Sequence, residues 1–174
     1  DAMSGCMAEA VARVPAAYAE IRGTEKYPKI NGLVYFFDVY GGTIVMAEIY
    51  RLPDKHTRNM GKFFGFHICE ESICTGDEPG PLAYTSTHFS PEFAQHPQHL
   101  GDLTILLSTQ GIAWLEVYTG RFFPEQVIGR TVEIHEHPDD FITHPHGNAG
   151  ERIACGEIKE WGDQLSVYLW PIEN

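Results

Sequence analysis

The chain has 174 residues, 43% of them hydrophobic and 21% charged, which suits one compact domain able to bury its own core. Its 12 basic residues stand against 24 acidic ones, a net charge of −12, so nucleic acid and anionic membrane surfaces, which need a basic face, are excluded as expected partners. No apolar run approaches the ~20 residues that cross a bilayer as a helix, so no membrane span is expected.

Residues 1–13 (DAMSGCMAEAVAR) read as a weakly specified tail. They lack the basic start and long apolar stretch of a signal peptide, which leaves a cytoplasmic protein or an exported one whose leader has been removed. Cys6, in this tail, has no expected role. The main domain is expected over residues 14–158, with a C-terminal extension over 159–174.

From Ala16 onward the pattern is that of strands. Leu33, Tyr35, Phe37 and Val39 alternate with neighbours on the opposite face. Gly41-Gly42 breaks the run and residues 43–50 (TIVMAEIY) return, which reads as a hairpin. Further short strands are expected over 63–68, 104–107, 112–118, 127–134 and 153–158. In the extension, alternating Leu165, Val167 and Leu169 suggest one more strand, over 165–169. Many short strands punctuated by turns such as Pro53-Asp54 and Gly147-Asn148, with no long amphipathic helix, indicate an all-β antiparallel sandwich or barrel. Residues 70–103 are long and poor in strand pattern, and connections of that length in a small domain are commonly functional.

The nine histidines fall at 56, 67, 88, 96, 99, 135, 137, 144 and 146. His96, His99 and Asp102 recur at three-residue intervals with His88 eight residues upstream of His96, a three-nitrogen, one-oxygen set that suits tetrahedral zinc. The plain alternative is a solvated polar loop. His67 and Cys69 stand two apart near the end of an expected strand and so share a face, while His135 ends another strand. Imidazole suits copper and thiolate suits Cu(I), although the commoner fate of a lone cysteine is a small buried core residue.

The stretches GFH (65–67), THFSPE (87–92), HLGDL (99–103), IGRTVEIHEHPDD (128–140) and GNAGERIACG (147–156) together resemble copper,zinc superoxide dismutase, in family order over residues 16–158. The close spacing of His67 and Cys74 is most similar to bacterial members. The resemblance implies a Greek-key β-barrel with long functional loops, and an enzyme that converts superoxide to dioxygen and hydrogen peroxide using copper and zinc, as a monomer or homodimer. It places His67 and His135 as copper ligands and His88 as the histidine shared by both metals. It places His96, His99 and Asp102 on zinc. Asp139 falls where a carboxylate links imidazoles of the two sites, Arg152 on the arginine that guides the anion, and Cys74 and Cys155 on the disulfide.

Three departures stand out. His99 follows His96 by only three positions, and the run from His135 to Arg152 is short, so the loop that steers superoxide is trimmed. The third departure is Cys69, where the family has a copper-ligand histidine. Cys69 could ligate as a thiolate, stay out of the copper set, or become oxidised. Each outcome lowers the expected activity and leaves the fold unaffected. His137, His144 and His146 have no family role; exposure is the default for each, with replacement of the missing ligand as the sharper alternative. The function expected is therefore superoxide dismutation, with reduced activity, against a catalytically inactive metal-binding relative or a copper carrier.

Overall fold

Apolar side chains at every second position turn inward and close the chain into a barrel. The computed structural model describes residues 14–54, 61–70, 74, 88–91 and 94–163. The expected N-terminal tail with Cys6, His56 and the expected strand over 165–169 lie outside the described residues. Eight strands follow in order: β1 Ala17–Gly23, β2 Asn31–Val39, β3 Gly42–Tyr50, β4 Lys62–Cys69, β5 Leu106–Thr109, β6 Ile112–Thr119, β7 Thr131–His135 and β8 Arg152–Glu160. A short helical turn, α1 (Pro124–Val127), precedes β7, and a 3-10 turn, Trp161–Asp163, follows β8.

The strands close in the order β1-β2-β3-β6-β5-β4-β7-β8, every pair antiparallel, with β8 returning to β1. The chain passes over two strands between β3 and β4, and over two again between β6 and β7, which is Greek-key connectivity. Phe36, Phe64, Phe66, Ile21, Ile49, Leu106, Ile134 and Ile153 fill the interior with almost no exposed surface. Each such side chain contributes roughly 1.5–3 kcal/mol by leaving water.

Two strand expectations shift. The strand expected over 104–107 lies at Leu106–Thr109. A two-residue turn with positive φ at Gln110 and Gly111 pairs Thr109 with Ile112 and so carries the strand to the turn itself. Buried Asp54 fixes that corner, accepting from Ser108 Oγ and from the Gly111 amide, each at 2.7 Å. The strand expected over 127–134 begins only at Thr131. Pro124 starts α1 instead, where its fixed φ and missing amide fit the first turn, and Gly129, at φ +82°, separates the turn from β7.

Cys74 is disulfide-bonded to Cys155 on β8 across 81 residues, the pairing that the resemblance implied. Closing a loop of that size restricts the unfolded chain by roughly 4–5 kcal/mol in the chain-entropy account. Cys155→Ser is expected to lower the melting temperature by roughly 10–15 °C, followed by circular dichroism. A change within about 3 °C would show that the crosslink does not hold the native barrel together.

Candidate metal centre

β7 is buried along its whole length, and β4 is buried on both faces from Phe64 to Cys69. Phe64, Phe66 and Ile68 of β4 and Val132 and Ile134 of β7 face the core, so His67, Cys69, Thr131, Glu133 and His135 share the outer face. Across that face Gly65 pairs with His135, His67 with Glu133 and Cys69 with Thr131. Residues 88–91 and 94–102 cover the pair. Ile68 donates its amide to Gly101 at 2.9 Å, Phe89 to Ile68 at 2.8 Å and Gly101 to Phe89 at 2.9 Å. A Cβ on Gly101 would stand 2.1 Å from the Ile68 carbonyl oxygen, so only glycine lets the loop lie this close.

Within that loop His88, His96, His99 and Asp102 bring one ligand atom each to within 4.8 Å of one another. His88 Nδ1 donates to Asp102, the His99 amide donates to Asp102 Oδ2 at 2.9 Å, and His99 Nδ1 stands 3.1 Å from the same oxygen. Arg121, unremarked in the sequence, braces the loop: its Nη1 donates to the carbonyl oxygens of Pro97, His99 and Asp102 at 3.2, 3.0 and 3.0 Å. Arg121→Ala is expected to weaken zinc binding by about tenfold, as removal of a group supporting metal ligands does. Competition against a chelator measures this, and unchanged affinity would show the brace to be idle.

Asp139 joins this loop to β4. His67 Nε2 donates to its Oδ2 at 2.7 Å and His96 Nε2 to its Oδ1 at 2.9 Å, while the Phe141 amide donates at 2.6 Å. Because a carboxylate can only accept here, both imidazoles carry their proton on Nε2 and turn a lone pair outward from Nδ1. His135 is set the other way, Nδ1 donating to the Gly150 carbonyl at 3.1 Å. His67 Nδ1, His96 Nδ1 and His135 Nε2 are thus left buried with no hydrogen-bond partner among the described residues. His96 Nδ1 does lie 3.2 Å from Asp102 Oδ1, but as an acceptor facing an acceptor.

Buried nitrogens of this kind are rare unless something occupies them, and a cation that takes lone pairs is what the donors fit. The charge states agree. Burial pushes His67 down to about 3 against the opposing pull of Asp139, and burial lowers His135 too, so both rings are neutral. Burial works to raise Asp102 and Asp139, but hydrogen bonds from His88 and His67 respectively outweigh it and keep both carboxyls below their ordinary value. His67 and His135, as neutral imidazoles, offer a lone pair to a metal without first losing a proton.

The second half of the centre is less closely assembled. The His67 ring lies 3.9 Å from that of His88 and 5.1 Å from that of His135, centroid to centroid. Among the described residues, no group of three or more donors within 4.8 Å includes Cys69 or His135. Cys69 is buried and outside the disulfide. Arg152, at the start of β8, donates from Nη1 to Glu133 Oε1 at 2.8 Å, and the other Glu133 oxygen stands 3.6 Å from His135 Nε2. Glu133 is only 1% exposed. It went unremarked in the sequence, although its signal is there: in TVEIH the positions alternating with Val132 and Ile134 are Thr131, Glu133 and His135, which puts the carboxylate two residues from a metal-type histidine on one face. Of the three loop histidines, His137 and His144 are exposed as expected and His146 is half-buried.

The family model for copper/zinc superoxide dismutase (SODC) matches residues 30–158. Among solved structures, the chain is similar to the Cu/Zn superoxide dismutase from Brucella abortus, with 23% sequence identity, a TM-score of 0.66, and coverage of 81% of this chain and 98% of that one. That likeness is one of fold.

Proposed function

As the chain belongs to the copper/zinc superoxide dismutase family, we propose that it converts superoxide to dioxygen and hydrogen peroxide at a copper site supported by zinc, at reduced activity. The observation that carries this reading is Asp139, whose two oxygens hold His67 and His96 so that each aims an unprotonated Nδ1 away from it. One carboxylate orienting donors for two neighbouring ions is the arrangement that a paired-metal centre needs. His88, His96, His99 and Asp102 would hold zinc, and His67, His88 and His135 would hold copper. Bound copper would supply one-electron exchange with superoxide, and bound zinc a fixed charge beside His88. The Gly150 carbonyl keeps His135 Nε2 unprotonated, and Arg152 offers the cation that an approaching anion meets, in competition with Glu133.

A second reading, an inactive metal-binding relative, is favoured by Cys69 and by the Glu133–Arg152 pair, which engages a cation placed to attract an anion. Superoxide dismutation by the protein reconstituted with copper and zinc, beside Cys69→His, separates the two. Activity in both establishes an enzyme that tolerates cysteine at position 69. Activity in the histidine variant alone assigns the natural chain to metal binding. An intense visible charge-transfer band on Cu(II) loading would instead indicate thiolate ligation and electron transfer. The Cys74–Cys155 disulfide supports an oxidising compartment reached by export, which fractionation of the source cells would test.

A further inference from the structure

We infer that His146 supplies the copper-side nitrogen that position 69 lacks, so that His67, His88, His135 and His146 form the copper set. The inference rests on the two-metal reading above and extends it to a residue with no counterpart in the five stretches that carry the resemblance except by adjacency to Gly147.

His146 Nδ1 lies 3.1 Å from His88 Nε2, with ring centroids 4.8 Å apart. The other nitrogen of His88 faces Asp102 on the zinc side, so Nε2 is the nitrogen that the shared histidine turns toward copper, and His146 meets it there. Two imidazole nitrogens bonded to one ion at about 2.0–2.1 Å stand about 2.9 Å apart at a right angle and about 3.4 Å at a tetrahedral angle. The observed separation falls between them, so both nitrogens can reach one ion once the rings turn from the hydrogen bond toward it. His144 turns to the zinc side, its ring 6.4 Å from that of His96, and the His137 ring lies against Gly150.

The backbone beside His146 runs against the same carboxylate that orients the other donors. Gly147 donates its amide to Thr143 at 2.7 Å, and Asp140 donates to the Gly147 carbonyl at 2.8 Å. Gly147 has φ +61°, and a Cβ there would stand 1.8 Å from Asp139 Oδ1, so the chain passes directly against Asp139 where any other residue would collide. His146 therefore sits one residue from the point where the chain passes against the carboxylate that holds His67. Chemistry points the same way. Imidazole accommodates both oxidation states of copper, whereas thiolate favours Cu(I) and would hinder return to Cu(II).

The test uses the full chain loaded first with zinc and then titrated with Cu(II) against a competing chelator, with nitrogen superhyperfine structure read by electron paramagnetic resonance. Wild type, His146→Ala, His144→Ala and His67→Ala are compared. His146→Ala is expected to lose about 100-fold in copper affinity, as much as loss of a metal-supporting group produces, together with one nitrogen coupling. Zinc affinity and melting temperature should stay those of the wild type, which also verifies the fold. His144→Ala should match the wild type throughout. If His67→Ala loses copper and His146→Ala does not, the role of His146 is overturned and the two-metal reading stands. If neither variant changes copper binding, both fall.

Discussion

Replacing Glu133 with glutamine is expected to raise the reaction of the copper- and zinc-loaded protein with superoxide by about tenfold, and to tighten azide binding to it in parallel. Glu133 Oε1 takes the guanidinium of Arg152 at 2.8 Å, and the pair is mostly shielded from water. An anion approaching His135 must therefore meet a carboxylate whose second oxygen is 3.6 Å from Nε2. A unit charge about 8 Å away costs an anion about 2 kcal/mol at an effective dielectric constant of about 20, and a tenfold gain needs only about 1.4 kcal/mol of that. Glutamine keeps an oxygen for Arg152 to donate to, so the bond survives while the charge goes. Net charge would change only from −12, so the overall field, which opposes an anion in any case, is nearly constant between the two proteins. Rates measured across ionic strength separate the local effect from the global one, because a charge this close to the site is screened far less than the surface. An unchanged or slower rate in Glu133→Gln would show that the pair assists the anion by holding Arg152 in place.

Which parts of this molecule could be read from the chain alone follows from how local each part is. The strands β2, β3, β4 and β6 were legible from short β-rich runs between turn residues. Which face of β2 turns inward was not: the core takes Val34 and Phe36, while Phe37 of the Leu33, Tyr35, Phe37 and Val39 face packs with Ile44 in a second, smaller cluster. The clustering of His88, His96, His99 and Asp102 was legible because these donors lie within one segment, 88–102, whose spacing suggested a metal-type group. The register of β5 was not, because it is decided by a positive-φ turn at Gln110–Gly111 and by Asp54, far earlier in the chain. Arg121 and Glu133 were passed over for a similar reason. The partners that bind them lie 19 or more residues away, and a charged side chain is ordinarily a solvated one. The loop histidines differ from one another only through Gly147, whose close approach to Asp139 no periodicity announces.

Asp139→Asn is expected to weaken both metals at once, by roughly 10–100-fold each, and to lower stability in the metal-free protein by roughly 3 kcal/mol. Asp139 accepts from His67 on one oxygen and from His96 on the other. An amide can accept on one side only; on the other its NH2 faces an N–H. One of the two imidazoles must then keep a buried proton with no acceptor or move it to Nδ1, and an imidazole protonated on Nδ1 cannot ligate through that atom. The Phe141 amide, which also donates to Asp139 Oδ1, limits which way the amide can turn. It favours the carbonyl on the His96 side, so the larger loss should fall on His67 and hence on copper. Paired titrations of zinc and copper into the variant, with thermal melts of the metal-free protein, give all three numbers. Equal binding of both metals would mean that the imidazoles are oriented by the packing of β4 and the 88–102 loop alone. Loss of zinc with copper retained would reverse the assignment of the two Asp139 oxygens. Copper falling further than zinc would establish Asp139 as the group that makes one centre of the two sites.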